Sequence, residues 1–317
     1  MTKELVAIAL GGNMILQKGQ PMTYEQQMKN LRLATEVIVD IIKQGYDVIL
    51  THGNGPQVGN ILVQQKAGVI EGIPEQPLNV CGAMSQGQIG FMIQTALEEQ
   101  LFDQGIVNKC VVAIITRALV DHKDPAFKEP TKPIGPFYTE EEAIELHRKT
   151  KDTYINDAGR GFRKVVSSPI PLQILEGDTI LRCVKEGDIV IAVGGGGIPV
   201  DRENGNFVDV EAVIDKDRAT DVLATQIDAD ILMILTDVSN AYLNYGKENQ
   251  KKIDKISIKE MKEIFDEGHF AKGSMRPKVE SAISFIEHGG RLSIITSSKD
   301  ALAALKDKAG TRIVKKF

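Results

Sequence analysis

The sequence predicts an α/β fold in which a largely parallel sheet carries helices on both faces. Three observations point there. Short continuous runs rich in Val, Ile and Leu recur at 6–10, 48–50, 111–115, 189–193, 231–235 and 292–295, and runs that do not alternate suit strands covered on both sides. Most of them are separated by stretches with helical spacing, the order of elements that builds a parallel sheet. Nearly every run gives way to Gly, Asn, Thr or Ser at its C-terminal end, and in open sheets of this class that edge is where ligands bind.

Composition narrows the class of protein. A chain of 317 residues, 42% of them apolar, can bury a sizeable core as one large domain or two smaller ones. A net charge of -5, with acids and bases interspersed, supplies no basic field for nucleic acid or an anionic membrane. Cys81, Cys110 and Cys183 are odd in number, far apart and in apolar surroundings, which reads as reduced core cysteines in a reducing compartment. No run approaches the ~18 apolar residues of a membrane span, and no signal-peptide pattern precedes the first strand. The expected location is the cytoplasm.

Taken in chain order, run 6–10 leads into Gly11-Gly12-Asn13. The first helix follows: Thr23 and Gln26 form a capping box, then Leu31, Ala34, Ile38, Ile41 and Ile42 recur at helical spacing until Gly45 stops it. Run 48–50 ends in His52-Gly53-Asn54-Gly55. Residues 121–172 hold half of the twelve prolines together with Phe127, Phe137, Tyr138, Tyr154 and Phe162. This segment is expected to protrude over the sheet edge as an irregular subdomain, inserted within a single domain spanning 1–317; its aromatic residues argue against disorder. Run 189–193 ends in four glycines, Gly194, Gly195, Gly196 and Gly197, and Asn204-Gly205 has the form of a hairpin turn. The last two runs end in Thr236-Asp237 and Thr296-Ser297-Ser298.

Three glycine-rich loops thus stand at strand ends, where backbone amides can approach phosphate oxygens closely. Any one alone is weak evidence, since Gly11-Gly12 also suits a plain tight turn. No G-x-x-x-x-G-K-[ST] is present, and Pro199 takes the last position of what would be G-x-G-x-x-G, so neither a P-loop nor a dinucleotide fingerprint is matched. Three lysines have unusual settings. Lys132 lies between prolines, Lys216 opens a helix, and Lys278 follows Pro277 in the position of a first helical residue, where the helix end adds positive potential. Asp217, beside Lys216, suits either an ordinary helix N-terminal acid or a residue that holds the lysines.

The strings Ile8-Ala9-Leu10-Gly11-Gly12-Asn13, Gly53-Asn54-Gly55-Pro56-Gln57-Val58-Gly59, Cys81-Gly82-Ala83-Met84-Ser85-Gln86-Gly87 and Asp157-Ala158-Gly159-Arg160-Gly161 together resemble the carbamate kinases of the amino-acid kinase family. The likeness continues through Pro130-Thr131-Lys132-Pro133-Ile134-Gly135, the 194–199 loop, Ile214-Asp215-Lys216-Asp217, Thr236-Asp237-Val238 and the 273–278 segment. It implies an open αβα sandwich, a homodimer, and reversible phosphoryl transfer between ATP and carbamate, run toward ATP where arginine is fermented by the arginine deiminase route. It implies a charged catalytic centre of Lys132, Lys216, Asp217 and Lys278. Gly11, Gly12 and Asn13 would hold the transferred phosphoryl, and Gly53, Asn54 and Gly55 would face the acceptor. Gly195, Gly196, Thr236, Asp237, Val238, Tyr242, Gly273 and Met275 would lie by the nucleotide, with Mg2+ bridging its phosphates and Asp217 either orienting lysines or reaching the ion through water. No protein metal ligand is expected.

One departure bears on the acceptor. Family relatives that phosphorylate acetylglutamate carry lysine in the first strand where this chain has Ala9, so Lys132 or Lys216 is expected to supply that charge. Carbamate is already an anion and needs no general base. Competing readings are a kinase acting on glutamate, acetylglutamate or isopentenyl phosphate, a non-catalytic nucleotide sensor on the same fold, and a nicotinamide-dependent oxidoreductase.

Overall fold

The computed structural model describes residues 3–157, 159–271 and 273–316; Ala158 of the 157–161 motif lies outside them. All six apolar runs become neighbouring strands of one eight-stranded sheet. Its order is Lys255–Ser257, Thr311–Val314, Leu292–Ser297, Ile231–Thr236, Leu5–Leu10, Asp47–His52, Ile189–Ile191 and Val111–Ala113. The last six are mutually parallel, whereas Thr311–Val314 runs antiparallel to Leu292–Ser297 and carries Lys255–Ser257 parallel to itself.

Leu5–Leu10 is central and buried throughout, and its two faces build two different layers. Val6, Ile8 and Leu10 pack with residues of the helices Tyr24–Lys43 and Leu78–Asp103. Ala7 and Ala9 point the other way, into a core shared with the helices Gly177–Lys185, Lys216–Gln226 and Met275–Glu287. The result is an αβα sandwich. Small residues on that second face, Ala7 and Ala9 against Ala219 and Ala224, allow the helix Lys216–Gln226 to lie close under the sheet. A buried hydroxyl pair, Thr51 Oγ1 and Thr220 Oγ1 at 2.7 Å, fixes its position along the strands. Its N-terminus is thereby set at the carboxyl edge.

Several details differ from the sequence reading. Thr23 caps its helix by accepting from the Gln26 N–H at 3.2 Å, but the Gln26 side chain donates to Asn30 instead of returning, so the box is half formed. Cys81 is buried, yet Cys110 is exposed and Cys183 half-buried. Cys110 falls in the exposed approach to the strand Val111–Ala113, just outside the covered run. The segment 121–172 is regular over much of its length, with a three-stranded antiparallel sheet in the order Lys132–Tyr138, Phe162–Val166, Thr153–Asn156 and a helix Glu140–Thr150. Thr139 and Glu142 form a complete capping box there, a local signal strong enough to start a helix in a proline-rich stretch. The hairpin turn stands as expected: Asn204 and Gly205 take φ of 50° and 86° between antiparallel strands, the signs that a two-residue hairpin loop requires.

One buried acid in this framework makes stability depend on pH. Asp221 is buried on the helix Lys216–Gln226. Burial pushes its carboxyl up to about 6, partly offset by Ser284, His288 and Thr225. The folded protein thus keeps a proton that the unfolded chain loses near pH 4, so Asp221 makes stability fall as pH rises from about 4 to about 6. Asp221→Asn is expected to raise stability at pH 8 by about 2 kcal/mol and to remove that fall. Melting curves from pH 4 to 8 check it; an unchanged profile would show that the carboxyl ionises freely.

Candidate active site

Asp217 is the point on which the charged residues converge. It sits in the first turn of the helix Lys216–Gln226 and is 3% exposed, a depth at which a carboxylate requires partners. Both oxygens are taken by ammonium groups: Oδ1 accepts from Lys216 Nζ, and Oδ2 accepts from Lys278 Nζ at 2.8 Å. Burial opposes ionisation of Asp217, but the two lysines outweigh it and hold the carboxyl down at about 2. Lys216 is pushed below the ordinary lysine value by burial, with Asp217 and Asp215 opposing and Lys278 adding to the shift. The lysines come from two helix N-termini aimed at one place, so their charge adds to the positive ends of two helix dipoles. An anion is the natural occupant.

Lys278 reaches Asp217 differently from the sequence expectation. The helix Met275–Glu287 starts two residues earlier than assumed, which makes Pro277 its third residue, not its first. The reason lies upstream: the Arg276 N–H is satisfied by Ala271 O at 3.0 Å. Pro277 still falls within the first turn, where a missing N–H costs nothing. Lys132 begins the strand Lys132–Tyr138 of the small sheet and donates to Asp215 Oδ2 at 3.1 Å. Asp215 is the N-cap of the helix that carries Lys216 and Asp217. All four expected centre residues are therefore joined through one helix end.

The glycine loops stand around this centre. Gly11 lies so close to the neighbouring strand that a Cβ there would come within 2.9 Å of Leu235 O, which leaves no room for a side chain. Gly53 approaches both Gly12 and the Lys216 stem, since a Cβ on Gly53 would meet Gly12 N and Lys216 Cδ at 3.6 Å. The first two loops and Lys216 thus border one space. Asn54 donates to Ser85 Oγ at 2.8 Å. His52, just before the loop, is 1% exposed, and burial, aided by Lys216, pushes its imidazole down to about 4 against the pull of its bond to Gly53 O. It is a neutral spacer at ordinary pH.

Gly195 and Gly196 are not with the other residues grouped as nucleotide-binding. Gly195 presses on the Asn54 side chain, and a Cβ on Gly196 would sit 2.5 Å from Ile214 O. Their strand, Ile189–Ile191, is three strand spacings from Ile231–Thr236, roughly 14 Å. The glycines are there to let the 53–55 loop and the segment before Asp215 come close, with φ of 65° and 94° that other residues resist. Thr236, Asp237, Val238 and Tyr242 lie across the sheet. Thr236 ends its strand beside Gly11, its hydroxyl donates to Asp237 at 3.1 Å, and Ser239 Oγ and Tyr242 OH are 3.1 Å apart. Gly273 precedes, and Met275 opens, the helix of Lys278, with Met275 packed on the core of that face.

The lysine–aspartate cluster is therefore bordered by the 53–55 loop and by Gly12, with Thr236 beside Gly11 on the neighbouring strand. The family model for the amino acid kinase family matches residues 4–297. The chain belongs to the amino acid kinase family. Among its relatives in that family is a carbamate kinase from Thermococcus kodakarensis, 53% identical over 312 residues that cover 98% of this chain and 99% of the relative. A carbamate kinase from Pyrococcus horikoshii is 52% identical, with coverage of 98% and 99%. The solved structure of a carbamate kinase from Giardia lamblia bound to AMP-PNP superposes with a TM-score of 0.93 at 47% identity, covering 98% of each chain. This amino acid kinase is thus a phosphotransferase, and its open αβα sandwich is the fold of those neighbours.

Sequence reasoning passed over Asp215, His52, Ser85 and the pair Thr51 and Thr220. Asp215 had a usable signal, an acid in the N-cap position before a helix. The others had none, because the contacts that bring them to this site, Thr51 to Thr220, Asn54 to Ser85 and His52 to Gly194, join residues 30 or more apart in the chain.

Proposed function

We propose that this amino acid kinase is a carbamate kinase, converting ATP and carbamate to ADP and carbamoyl phosphate and back, and that it runs toward ATP in cells fermenting arginine through the arginine deiminase route. The observation that carries this is the Lys216–Asp217–Lys278 cluster at two helix N-termini beside the 11–13 and 53–55 loops, in a chain about half identical throughout to carbamate kinases. Lys132, Lys216, Asp217 and Lys278 form the catalytic centre. Gly11, Gly12 and Asn13 cradle the moving phosphoryl, and Gly53, Asn54 and Gly55 face carbamate. Gly195 and Gly196 support that acceptor side. Thr236, Asp237, Val238, Tyr242, Gly273 and Met275 border the nucleotide.

In the forward direction an oxygen of carbamate forms a bond to the γ-phosphorus as the bond from that phosphorus to the β,γ-bridging oxygen breaks, leaving ADP. No proton has to move. The barrier is charge repulsion, roughly 4 kcal/mol for each unit pair about 4 Å apart at an effective dielectric near 20. Lys216 and Lys278, held apart from each other and from solvent by Asp217, offset it where charge gathers on the equatorial oxygens. With both Asp217 oxygens engaged by lysine, Asp217 is assigned the orienting role. Mg2+ is proposed to come with the nucleotide, where it would spread the phosphate charge.

Residues 121–172 are read as a protruding subdomain: Ile134, Ala143, Val165 and Val166 are buried outside the main core clusters, and Lys66–Tyr138, Lys132–Asp215 and Lys164–Glu211 tie the segment to the body. A homodimer is proposed through the outer face of the helix Leu78–Asp103, where Val80, Met84, Phe91 and Phe102 are exposed at helical spacing; a single-chain mass in sedimentation at micromolar concentration would refute it. A cytoplasmic location suits the free thiols of Cys81, Cys110 and Cys183. No helix among the described residues is long and apolar enough to cross a membrane.

The acceptor is tested by ATP formation from ADP with carbamoyl phosphate, acetyl phosphate and glutamyl phosphate in parallel. Carbamoyl phosphate is expected to be preferred by a hundredfold or more. Preference for another donor would move the chain to another branch of the family.

A further inference from the structure

We propose that Asp215 is a positioning residue that sets where Lys132 of the small sheet stands relative to the Lys216–Asp217 helix end. The proposal rests on the reading of Lys132 as part of the charged centre. Asp215 divides its carboxylate between two tasks. Oδ1 accepts from the Asp217 N–H at 3.0 Å and so caps the helix, while Oδ2 accepts from Lys132 Nζ at 3.1 Å. One residue therefore measures the distance between an ammonium 83 residues away in sequence and the backbone of the residue that holds the other two lysines.

The backbone before Asp215 is fixed from two directions. Val213 N–H donates to Ser167 O at 3.0 Å, and Ser167 bridges to Ala212, so the chain leaving the small sheet is tied to the approach to Asp215. From the body, Gly196 touches Ile214 so closely that only glycine fits. Lys132 has no comparable fixing of its own, since its side chain is 43% exposed on a flexible four-carbon stem. A lone exposed lysine would pay rotamer entropy each time it met an anion. The Asp215 carboxylate orders it beforehand and leaves two of its three N–H donors free for substrate. Asp215 itself need not touch substrate.

The alternative is that Asp215 is a helix cap and nothing more. Asp215→Asn separates the two, because asparagine caps a helix about as well as aspartate but carries no charge for Lys132, whereas Asp215→Ala loses both. Wild type, Asp215→Asn, Asp215→Ala, Lys132→Ala and the double variant Asp215→Asn with Lys132→Ala are assayed for ATP formation from ADP and carbamoyl phosphate. Asp215→Asn is expected to melt within about 1 °C of wild type and Asp215→Ala about 2 °C lower. Turnover of Asp215→Asn is expected to fall about tenfold with KM for ADP unchanged, and the double variant to stay within about twofold of Lys132→Ala, as sites acting through each other should. In parallel, labelling of Lys132 by acetic anhydride, read by peptide mass spectrometry, is expected to be several-fold faster in Asp215→Asn.

Wild-type turnover in Asp215→Asn, fully additive losses in the double variant, or unchanged labelling of Lys132 would each overturn the proposal. Wild-type turnover in Lys132→Ala would remove Lys132 from the centre, and the proposal with it. Absence of ATP formation by the wild type would sink the choice of carbamoyl phosphate, while the labelling result would still decide whether Asp215 holds Lys132.

Discussion

Lys216→Ala and Lys278→Ala are each expected to lower turnover by on the order of a hundredfold or more with the fold intact. The two ammonium groups are nearly out of solvent, with side chains 13% and 15% exposed, where their charge is screened least and is worth most to a polyanionic transition state. Either replacement leaves Asp217 with its remaining lysine, so no buried charge is stranded and the structural cost stays small. Lys→Met at the same positions separates charge from packing, since it retains most of each stem, including that of Lys216 beside Gly53. Lys132→Ala belongs with them in effect on rate but not on stability, because its side chain is 43% exposed. The measurement is ATP formed from ADP and carbamoyl phosphate, paired with thermal melting. Wild-type turnover in any of the three would remove that lysine from the chemistry, and a rate loss that follows a collapse in melting temperature would mean a packing role.

The parts of this site that were legible in the sequence are those whose physics is local. Six strands could be read because a strand covered on both faces must be apolar at every position, as Leu5–Leu10 is. Lys255–Ser257 and Thr311–Val314 were not: the edge strand has a single buried apolar residue, Ile256, and its neighbour alternates the buried Thr311 and Ile313 with half-buried Arg312 and Val314, so neither makes a continuous apolar run. The lysines and glycine loops stood out by their local chemistry, and the structure gathers Lys132, Lys216, Asp217 and Lys278 at one helix end. What the chain could not disclose was lateral order. A glycine-rich loop after a strand announces a carboxyl-edge loop, but Gly195 and Gly196 fell beside the 53–55 loop because Ile189–Ile191 was inserted beside Asp47–His52 and not beside Ile231–Thr236. The start of the Met275–Glu287 helix was missed for a related reason: its first bond goes to Ala271, a turn that proline statistics do not reveal.

Asp217→Asn is expected to do more damage than either buried lysine replacement. It keeps the shape of the side chain and removes the one charge that allows two ammonium groups to share a buried site. Two unit charges about 4 Å apart at an effective dielectric near 20 repel by roughly 4 kcal/mol, and removing one partner of a buried pair typically costs about 3–5 kcal/mol. The protein has two ways to relieve this. Lys216, already pushed down by burial, can give up its proton, or the site can take up an anion. The first predicts a sign: the folded state then binds fewer protons than the unfolded chain, so the stability of Asp217→Asn should rise as pH rises from 7 toward 10. Wild type, in which Asp217 still favours the charged Lys216, should show a smaller rise confined to higher pH, and should lose stability in acid as pH falls through about 4 toward 2, where Asp217 takes up its proton. The second predicts that inorganic phosphate raises the melting temperature of Asp217→Asn by several degrees more than that of wild type, since the anion replaces the missing charge. Turnover should fall by at least as much as in Lys216→Ala, because both ammonium groups lose their common anchor. If Asp217→Asn instead melts like wild type, with the same response to phosphate and to pH, the two lysines are not held by Asp217 and the charged centre is assembled in some other way.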